Sequence, residues 1–465
     1  MSDLRHTPRF SAAQPYLFVA ALFACFACNN LLTRGMFMDG LIYSSLAANL
    51  ASGTGDLWHL QLSPSCFPQF YEHPPLMMWL LAAWMCIFGT SMLAAKAYSV
   101  AVLLLTAWLM VAIWHRLGFS SSTAFLPLLM LTLIPEMPLS IHNNFLESTL
   151  TLFVLLSIWF MLRWPDFLGH LLAGTALAAA ALTKGPVGLF PLAMPLLGFL
   201  LGTAKPSFGK VLLHTAALLL GLLIPFAALW FFSPVARDYL TTYFHIQLVV
   251  GLHDPVASRT RIIGVLLSRP IIPLLLSATI LILTTLRPHS PLRPSPAHLR
   301  CAALLFALVL CGSLPMMIST KQRAFYLLTI YPLFALAAAA LLEPVAQRLN
   351  AFLHGRTSAF ATTLTLALAF ALNIAHCGKP GRNEALLADM DIITSHIPDG
   401  STLSIPNSLN NNYSLHAYYW FYHRIALDPD LPHPDLLTRS DLPLPSQYRP
   451  PPLPTTEYLL CQTSH

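Results

Sequence analysis

Long apolar runs alternate with short polar connections along most of the chain. A bilayer-spanning helix needs roughly 20 predominantly apolar residues. About eleven stretches come near that length: residues 16–32, 95–114, 123–138, 145–162, 168–183, 187–201, 211–232, 271–286, 301–318, 324–341 and 358–374. Residues 76–88 are equally apolar but too short to span, and follow two prolines, so an interfacial helix is expected there. Between the first run and this one, residues 43–50 read as a short surface helix, because Ile42, Leu46 and Leu50 share a face.

The positions of the basic residues orient these runs. With 76–88 in the interface, every connection assigned to the inside carries Arg or Lys: Arg116, Arg163, Lys205 and Lys210, then Arg287, Arg293 and Arg300, then Arg348 and Arg356. That is the positive-inside pattern. The basic N-terminal segment, with Arg5, His6 and Arg9, then starts inside and precedes an uncleaved first span. The expected fold is all-α: a polytopic membrane domain over residues 1–374 with a first outer loop at 34–94. An outer tail at 375–465 follows, rich in Pro, Ser and Asn. In the tail, 402–405 and the aromatic run 418–422 suggest a small strand-containing domain, loosely ordered towards its end.

Composition agrees with this class. The chain is 56% hydrophobic and 9% charged, whereas soluble domains carry roughly 25% charged residues. Its formal charge of +6 is spread over loops with no basic block of interleaved aromatics, so nucleic acid is not an expected partner. The eight cysteines form no metal signature. Cys25 and Cys28 have CxxC spacing inside an apolar run and read as core residues, while Cys66, Cys377 and Cys461 lie outside spans, where a disulfide is possible.

In this topology the unusual polar residues fall on the outer face. They include Asp39, Glu72, His73, His142, Asn143, Asn144, Glu147, Lys184, His245, Arg259, Arg261, Lys321 and Arg323. Ionisable groups at membrane depth are costly and mark functional sites. Transfer of a group from a phosphate-linked lipid needs a base for the acceptor and cations for the departing phosphate. Asp39, just after the first span and beside Gly40, is the candidate base, with Glu147 as a second acid. Lys184, Lys321 and Arg323 are candidate phosphate contacts, and Glu72, His73 and His245 would face the head group. Asp39, Glu72, Glu147 and His245 could ligate a divalent metal, although no spacing specifies one. A transporter or flippase of a lipid-linked glycan is the competing class, but it predicts internal repeats and midplane polar residues, neither of which the sequence displays. A membrane scaffold has no need of such a cluster.

Five stretches in order carry a family resemblance. They are Asp39-Gly40, Glu72-His73-Pro74-Pro75-Leu76, Asn144-Phe145-Leu146-Glu147, Leu182-Thr183-Lys184-Gly185-Pro186-Val187-Gly188, and the run from Ser319 to Leu328. The chain resembles the GT-C glycosyltransferases over roughly residues 16–342, and within them the protein O-mannosyltransferases and the aminoarabinose transferases of lipid A. The aminoarabinose group has Glu-Lys-Pro-Pro where this chain has Glu72-His73-Pro74-Pro75, which is nearer the mannosyltransferase His-Pro-Pro. The resemblance implies inverting transfer from a polyprenyl-phosphate sugar to a lipid, glycan or protein acceptor, on the periplasmic side of the inner membrane. It places the first-loop acid at Asp39 and the second at Glu147.

Overall fold

The computed structural model describes residues 13–27, 30–203, 207–250, 258–287, 289–319, 322–353 and 356–463. The first run forms α1 (Gln14–Ala27), and the first loop holds α2 (Met38–Ala51) and α3 (Leu76–Phe88). Then come α4 (Met92–Arg116), α5 (Leu126–Thr132), α6 (Glu136–Ser140), α7 (Leu146–Arg163), α8 (Phe167–Lys184), α9 (Met194–Leu200) and α10 (Phe208–Phe232). The apolar part ends with α11 (Pro234–Tyr243), α12 (Arg261–Ser268), α13 (Ile271–Leu286), α14 (Pro296–Ser313), α15 (Tyr331–Leu353) and α16 (Arg356–His376). The tail contributes α17 (Glu384–Thr394), β1 (Thr402–Ser404), α18 (Tyr413–His423), β2 (Ala426–Asp428), β3 (Asp435–Arg439), β4 (Tyr448–Arg449) and β5 (Tyr458–Thr463).

The expected helices at 76–88 and 271–286 form with those limits. Among the described residues six helices are long and apolar enough to cross a membrane, and α12 with α13, bent by 68°, would make a seventh. Other expected runs are interrupted. Residues 123–138 break into a 3₁₀ turn, α5 and α6, and residues 187–201 into 3₁₀ turns and α9. Prolines explain this: Pro127 and Pro135 punctuate the first, Pro191 and Pro195 the second, and each removes a backbone donor and clashes with the preceding turn. Between the runs 211–232 and 271–286, residues 233–269 hold α11, a π-helical turn (Phe244–Val250) and α12.

Two compact units divide the chain: one comprises residues up to Leu31, Val100–Ile141 and Glu147–Ala375, the other Leu32–Ser99, His142–Leu146 and His376–His465. In the first, α8 packs along α10 through facing glycines. A Cβ on Gly174 would lie 2.1 Å from the Leu218 carbonyl oxygen, and one on Gly221 2.0 Å from that of Leu171. Small residues of this kind let membrane helices approach closely.

In the second unit α2 is not the surface helix expected at 43–50. It runs from Met38 and is buried at every position from Gly40 to Asn49. The reason is tertiary: α3 covers one side and α18, from the tail, another. Asn49 ties α2 to the loop before α3 and to the end of α18, donating to the carbonyls of Gln61 (2.7 Å) and Leu62 (2.8 Å) while its Oδ1 accepts from Trp420 Nε1 (3.0 Å) and from Arg424. The tail carries a five-stranded sheet in the order β2-β1-β3-β5-β4, with β1 parallel to β2 and β3, and β5 antiparallel to β3 and β4. Strand β1 falls where alternation placed it. The aromatic run 418–422 is helical, within α18. The end of the tail is an interior strand rather than a loose segment. Asp389, buried on α17, accepts backbone N–H groups of Thr456 (2.8 Å), Glu457 (2.7 Å) and Tyr458 (2.8 Å) at its start. Cys66, Cys377 and Cys461 are free thiols, so the possible disulfide does not form. Burial pushes the Cys66 thiol up to about 12, with Glu72 adding to the shift.

His416 on α18 gives this unit a pH dependence. Its ring is 1% exposed, and neither nitrogen has a hydrogen bond of good geometry. Burial, outweighing a weak contact with the Asn410 backbone, pushes it from its ordinary 6.5 down to about 4. The unfolded chain therefore binds the proton more readily than the folded one. The contribution is complete above pH 6.5 and is lost as pH falls from there through 4, by about 3 kcal/mol in full. Thermal unfolding between pH 4 and 7.5 is expected to show a falling midpoint on the acid side, and His416→Leu is expected to flatten that decline. An unchanged slope in the variant would assign the acid sensitivity to other groups.

Candidate active site

The candidate residues divide between the two units, and each unit builds its share differently. In the second unit Asp39 lies in the first turn of α2, half-buried, one residue after the helix begins. The turn is held from two sides. The Phe37 backbone N–H donates to Asn143 Oδ1 at 2.8 Å, and the Asn143 main chain presses against Gly40 so closely that a Cβ there would lie 1.7 Å from the Asn143 carbonyl oxygen. The glycine of Asp39-Gly40 is thus required by chain packing. From the tail, Tyr418 OH accepts from the Met36 N–H and donates to the Met36 carbonyl, both at 3.0 Å. Arg382 stands over the Phe37 ring at 4.8 Å.

Asn144 extends the brace. It adopts a left-handed conformation (φ 48°), which Asn tolerates better than most residues. Its Nδ2 donates to Ser44 Oγ (3.1 Å), Ser44 donates to the Gly40 carbonyl (2.6 Å), and Ser99 donates to Asn144 Oδ1 (3.1 Å). His73 packs edge-on to Tyr43 at 5.8 Å, one turn of α2 beyond Asp39, and against Phe70 at 6.5 Å. Glu72 beside it is exposed. A buried cation that sequence reading passed over, Lys96, donates from Nζ to the Thr33 carbonyl at 2.7 Å. Its signal was a lysine inside an otherwise apolar run.

In the first unit Glu147 and Lys184 form an ion pair. Glu147, in the first turn of α7, is 2% exposed at its side chain, and Lys184, closing α8, is 13% exposed. Lys184 Nζ also lies 4.3 Å from the centre of the Tyr326 ring and 6.0 Å from that of Phe325, so the cation is walled by a carboxylate and two aromatic faces. The turn after Lys184 depends on its glycines. Gly185 has φ 75°, and a Cβ there would lie 2.1 Å from Tyr243 OH. Gly188 abuts Leu150, whose Cδ1 would lie 2.6 Å from a Cβ. Burial pushes the Tyr243 hydroxyl up to about 12, so it stays protonated beside Gly185.

His245 follows Tyr243 by two residues and is exposed in the π-helical turn. Arg323, also exposed, caps the 3₁₀ turn that bears Phe325 and Tyr326. Lys321 lies outside the described residues. Its neighbour Gln322, which sequence reading did not single out, is a buried clasp. It donates to the carbonyls of Arg259 (2.8 Å), Ser319 (3.0 Å) and Met316 (3.3 Å), and accepts from the Ile262 N–H (2.7 Å). That clasp fixes the segment carrying Arg259 and Arg261 to the one carrying Arg323. A second missed pair is Glu136 with Arg269 at 2.8 Å, the acid buried and the guanidinium half-exposed.

Among the described residues no group of three or more His, Cys, Asp or Glu is arranged to hold a metal ion. The four candidate ligands therefore do not assemble as a set. The chemistry present is a braced carboxylate on α2, and a buried acid–base pair walled by two aromatic rings.

The comparisons with known proteins bear on this arrangement. Residues 72–232 match the family model described as dolichyl-phosphate-mannose-protein mannosyltransferase. No curated protein matches the chain by sequence. In fold the chain is similar to ArnT from Cupriavidus metallidurans bound to undecaprenyl phosphate, with a TM-score of 0.66 at 14% identity over 96% of this chain and 97% of that one. The apo form of the same protein gives 0.65 at 15% identity over 97% and 98%. The archaeal oligosaccharyltransferase AglB from Archaeoglobus fulgidus, in complex with an inhibitory peptide and a dolichol-phosphate, gives 0.52 at 12% identity over 90% of this chain and 64% of that one. The family match and the shared fold bear out the resemblance to the GT-C glycosyltransferases, and with it the enzyme class: this is a polytopic membrane glycosyltransferase.

Proposed function

We propose that this protein is an inverting glycosyltransferase that moves a sugar from a polyprenyl-phosphate donor to a lipid, glycan or protein acceptor, at the periplasmic face of the inner membrane. The observation that carries the reading is the family match over 72–232, the stretch that contains Glu72, His73, Glu147 and Lys184. A protein of the same fold is described bound to undecaprenyl phosphate, which supports a lipid-phosphate donor. The Arg and Lys pattern supports the outward-facing site.

Asp39 is the base that takes the acceptor's proton as the sugar–oxygen bond forms, while the bond to the lipid phosphate breaks and the phosphate leaves as an anion. Lys184 and Arg323, with Lys321, meet that developing charge. Glu147 holds the Lys184 ammonium in place, and Glu72, His73 and His245 address the head group. The test is mass spectrometry of envelope lipids, glycans and glycoproteins from cells with and without the protein. Loss of one sugar from one acceptor is expected, whereas an unchanged set of glycans alongside altered distribution of a lipid-linked precursor would favour a flippase.

A further inference from the structure

The first unit has a cavity of about 510 Å³ at the end of its helices remote from the Glu147–Lys184 pair, within the range of small-ligand pockets. Helices α7 and α8 define the separation. Glu147 opens α7, whereas Met161 and Leu162, near its other end, line the cavity. His170 lies in the first turn of α8 and lines it too, whereas Lys184 closes that helix. At about 1.5 Å per residue His170 and Lys184 are roughly 20 Å apart along α8. The remaining walls come from the end of α4, the stretch through α9, and the beginnings of α10 and α14.

The cavity's polar wall is of one sign. Arg116, Lys210 and Arg300 line it together with the imidazoles of His170 and His214, and among the described residues no carboxylate does. The two rings stack 4.0 Å apart at 15°. His170 is fixed by a 2.6 Å contact between Nδ1 and the Asp166 carbonyl, and the Asp166 carboxylate is occupied in capping α8 through the Gly169 N–H at 2.9 Å. Met161, Met194 and Leu304 supply apolar lining. Three cations scattered over loops would need no explanation beyond orientation in the bilayer. Here they converge on one acid-free concavity with a greasy side, and such a site suits an amphipathic anion. Basic pockets between helices at this end of a membrane protein are suited to lipid head groups.

We propose that this cavity binds the phosphate head group of an anionic membrane lipid, with Arg116, Lys210 and Arg300 on the phosphate and an acyl chain along Met161, Met194 and Leu304. The site is separate from the transfer chemistry and does not depend on it.

The experiment uses the purified full-length chain in a neutral detergent, titrated with phosphatidylglycerol or phosphatidylcholine, with retained lipid counted by native mass spectrometry. Preferential retention of phosphatidylglycerol is expected. Each of Arg116→Gln, Lys210→Gln and Arg300→Gln should weaken it about fivefold, and the triple variant about a hundredfold. Arg287→Gln, which changes an exposed cation outside the cavity, should leave retention unchanged. Thermal midpoints are measured alongside, and if the triple variant does not fold the single variants carry the result. Equal retention of both lipids, a triple or single variant that binds as the wild type, or an equal loss in Arg287→Gln would each overturn the proposal. Displacement of the lipid by millimolar inorganic phosphate would also overturn it, by making the ligand a free anion.

Discussion

Asp39→Asn lowers turnover by roughly 10²–10⁴-fold, the usual contribution of a general base, while leaving the fold intact. An acceptor hydroxyl is a weak nucleophile at neutral pH, so a positioned carboxylate must take its proton in the transition state. Asparagine keeps the size and much of the hydrogen bonding of aspartate but cannot take the proton. The variant is structurally mild because the turn around residue 39 is held by other groups. Asn143 bonds the Phe37 N–H, the Gly40 backbone packs on Asn143, and Tyr418 clasps Met36. Single-turnover transfer from a purified polyprenyl-phosphate sugar gives the readout, with the thermal midpoint as the control for folding. Near-normal turnover in a folded variant would remove Asp39 as the base and turn attention to Glu147 and Glu72.

Breaking the Glu147–Lys184 pair is expected to have the largest effect on stability. Lys184→Met leaves a carboxylate that is 2% exposed without its counter-charge. Removing one partner of a buried pair costs about 3–5 kcal/mol, chiefly because the remaining charge is stranded. Replacing both, as Glu147→Gln with Lys184→Met, removes the stranded charge, so most of the stability should return. Transfer should not return with it if Lys184 meets the leaving phosphate. A lost charge-assisted contact of about 1.5–3 kcal/mol corresponds to at least about tenfold in rate. Unfolding midpoints and single-turnover rates of the two single variants and the double variant form a cycle that separates the roles. Recovery of rate together with stability would make Lys184 a structural residue only.

Parts of this arrangement were legible in the chain. Lys184-Gly185-Pro186 announced a charged break between two apolar runs, and the structure places the lysine at the end of α8, with the glycine in a conformation that favours it. Asp39 and Glu147 stood out because acids are rare beside apolar runs. What was not legible was their surroundings. Glu147 was read as a second acid and Lys184 as a phosphate contact, but nothing in the local sequence marks two residues 37 positions apart as ion-pair partners. Gln322 looked like an ordinary loop polar, and Asn143 stood among the unusual outer-face polars with no sign of the backbone it would hold. Their importance comes from the backbone groups they satisfy, and backbone donors and acceptors leave no trace in composition.

The sequence by itself determined the class of molecule and the limits of several helices. With no water inside a bilayer, a spanning segment must satisfy its own backbone and present an apolar surface, and both demands are written in one dimension as run length. The runs at 123–138 and 187–201 read as continuous, and only the structure showed that they break into short turns and helices at their prolines. The tertiary structure alone decided that α2 is buried and that the tail ends in an interior strand. It alone decided that the tail braces the Asp39 turn and that basic residues from α4, α10 and α14 meet in one acid-free cavity. Met36 and Tyr418 are 382 residues apart. A contact of that kind depends on which surfaces meet when the whole chain packs, and neither residue's neighbours in sequence carry that information.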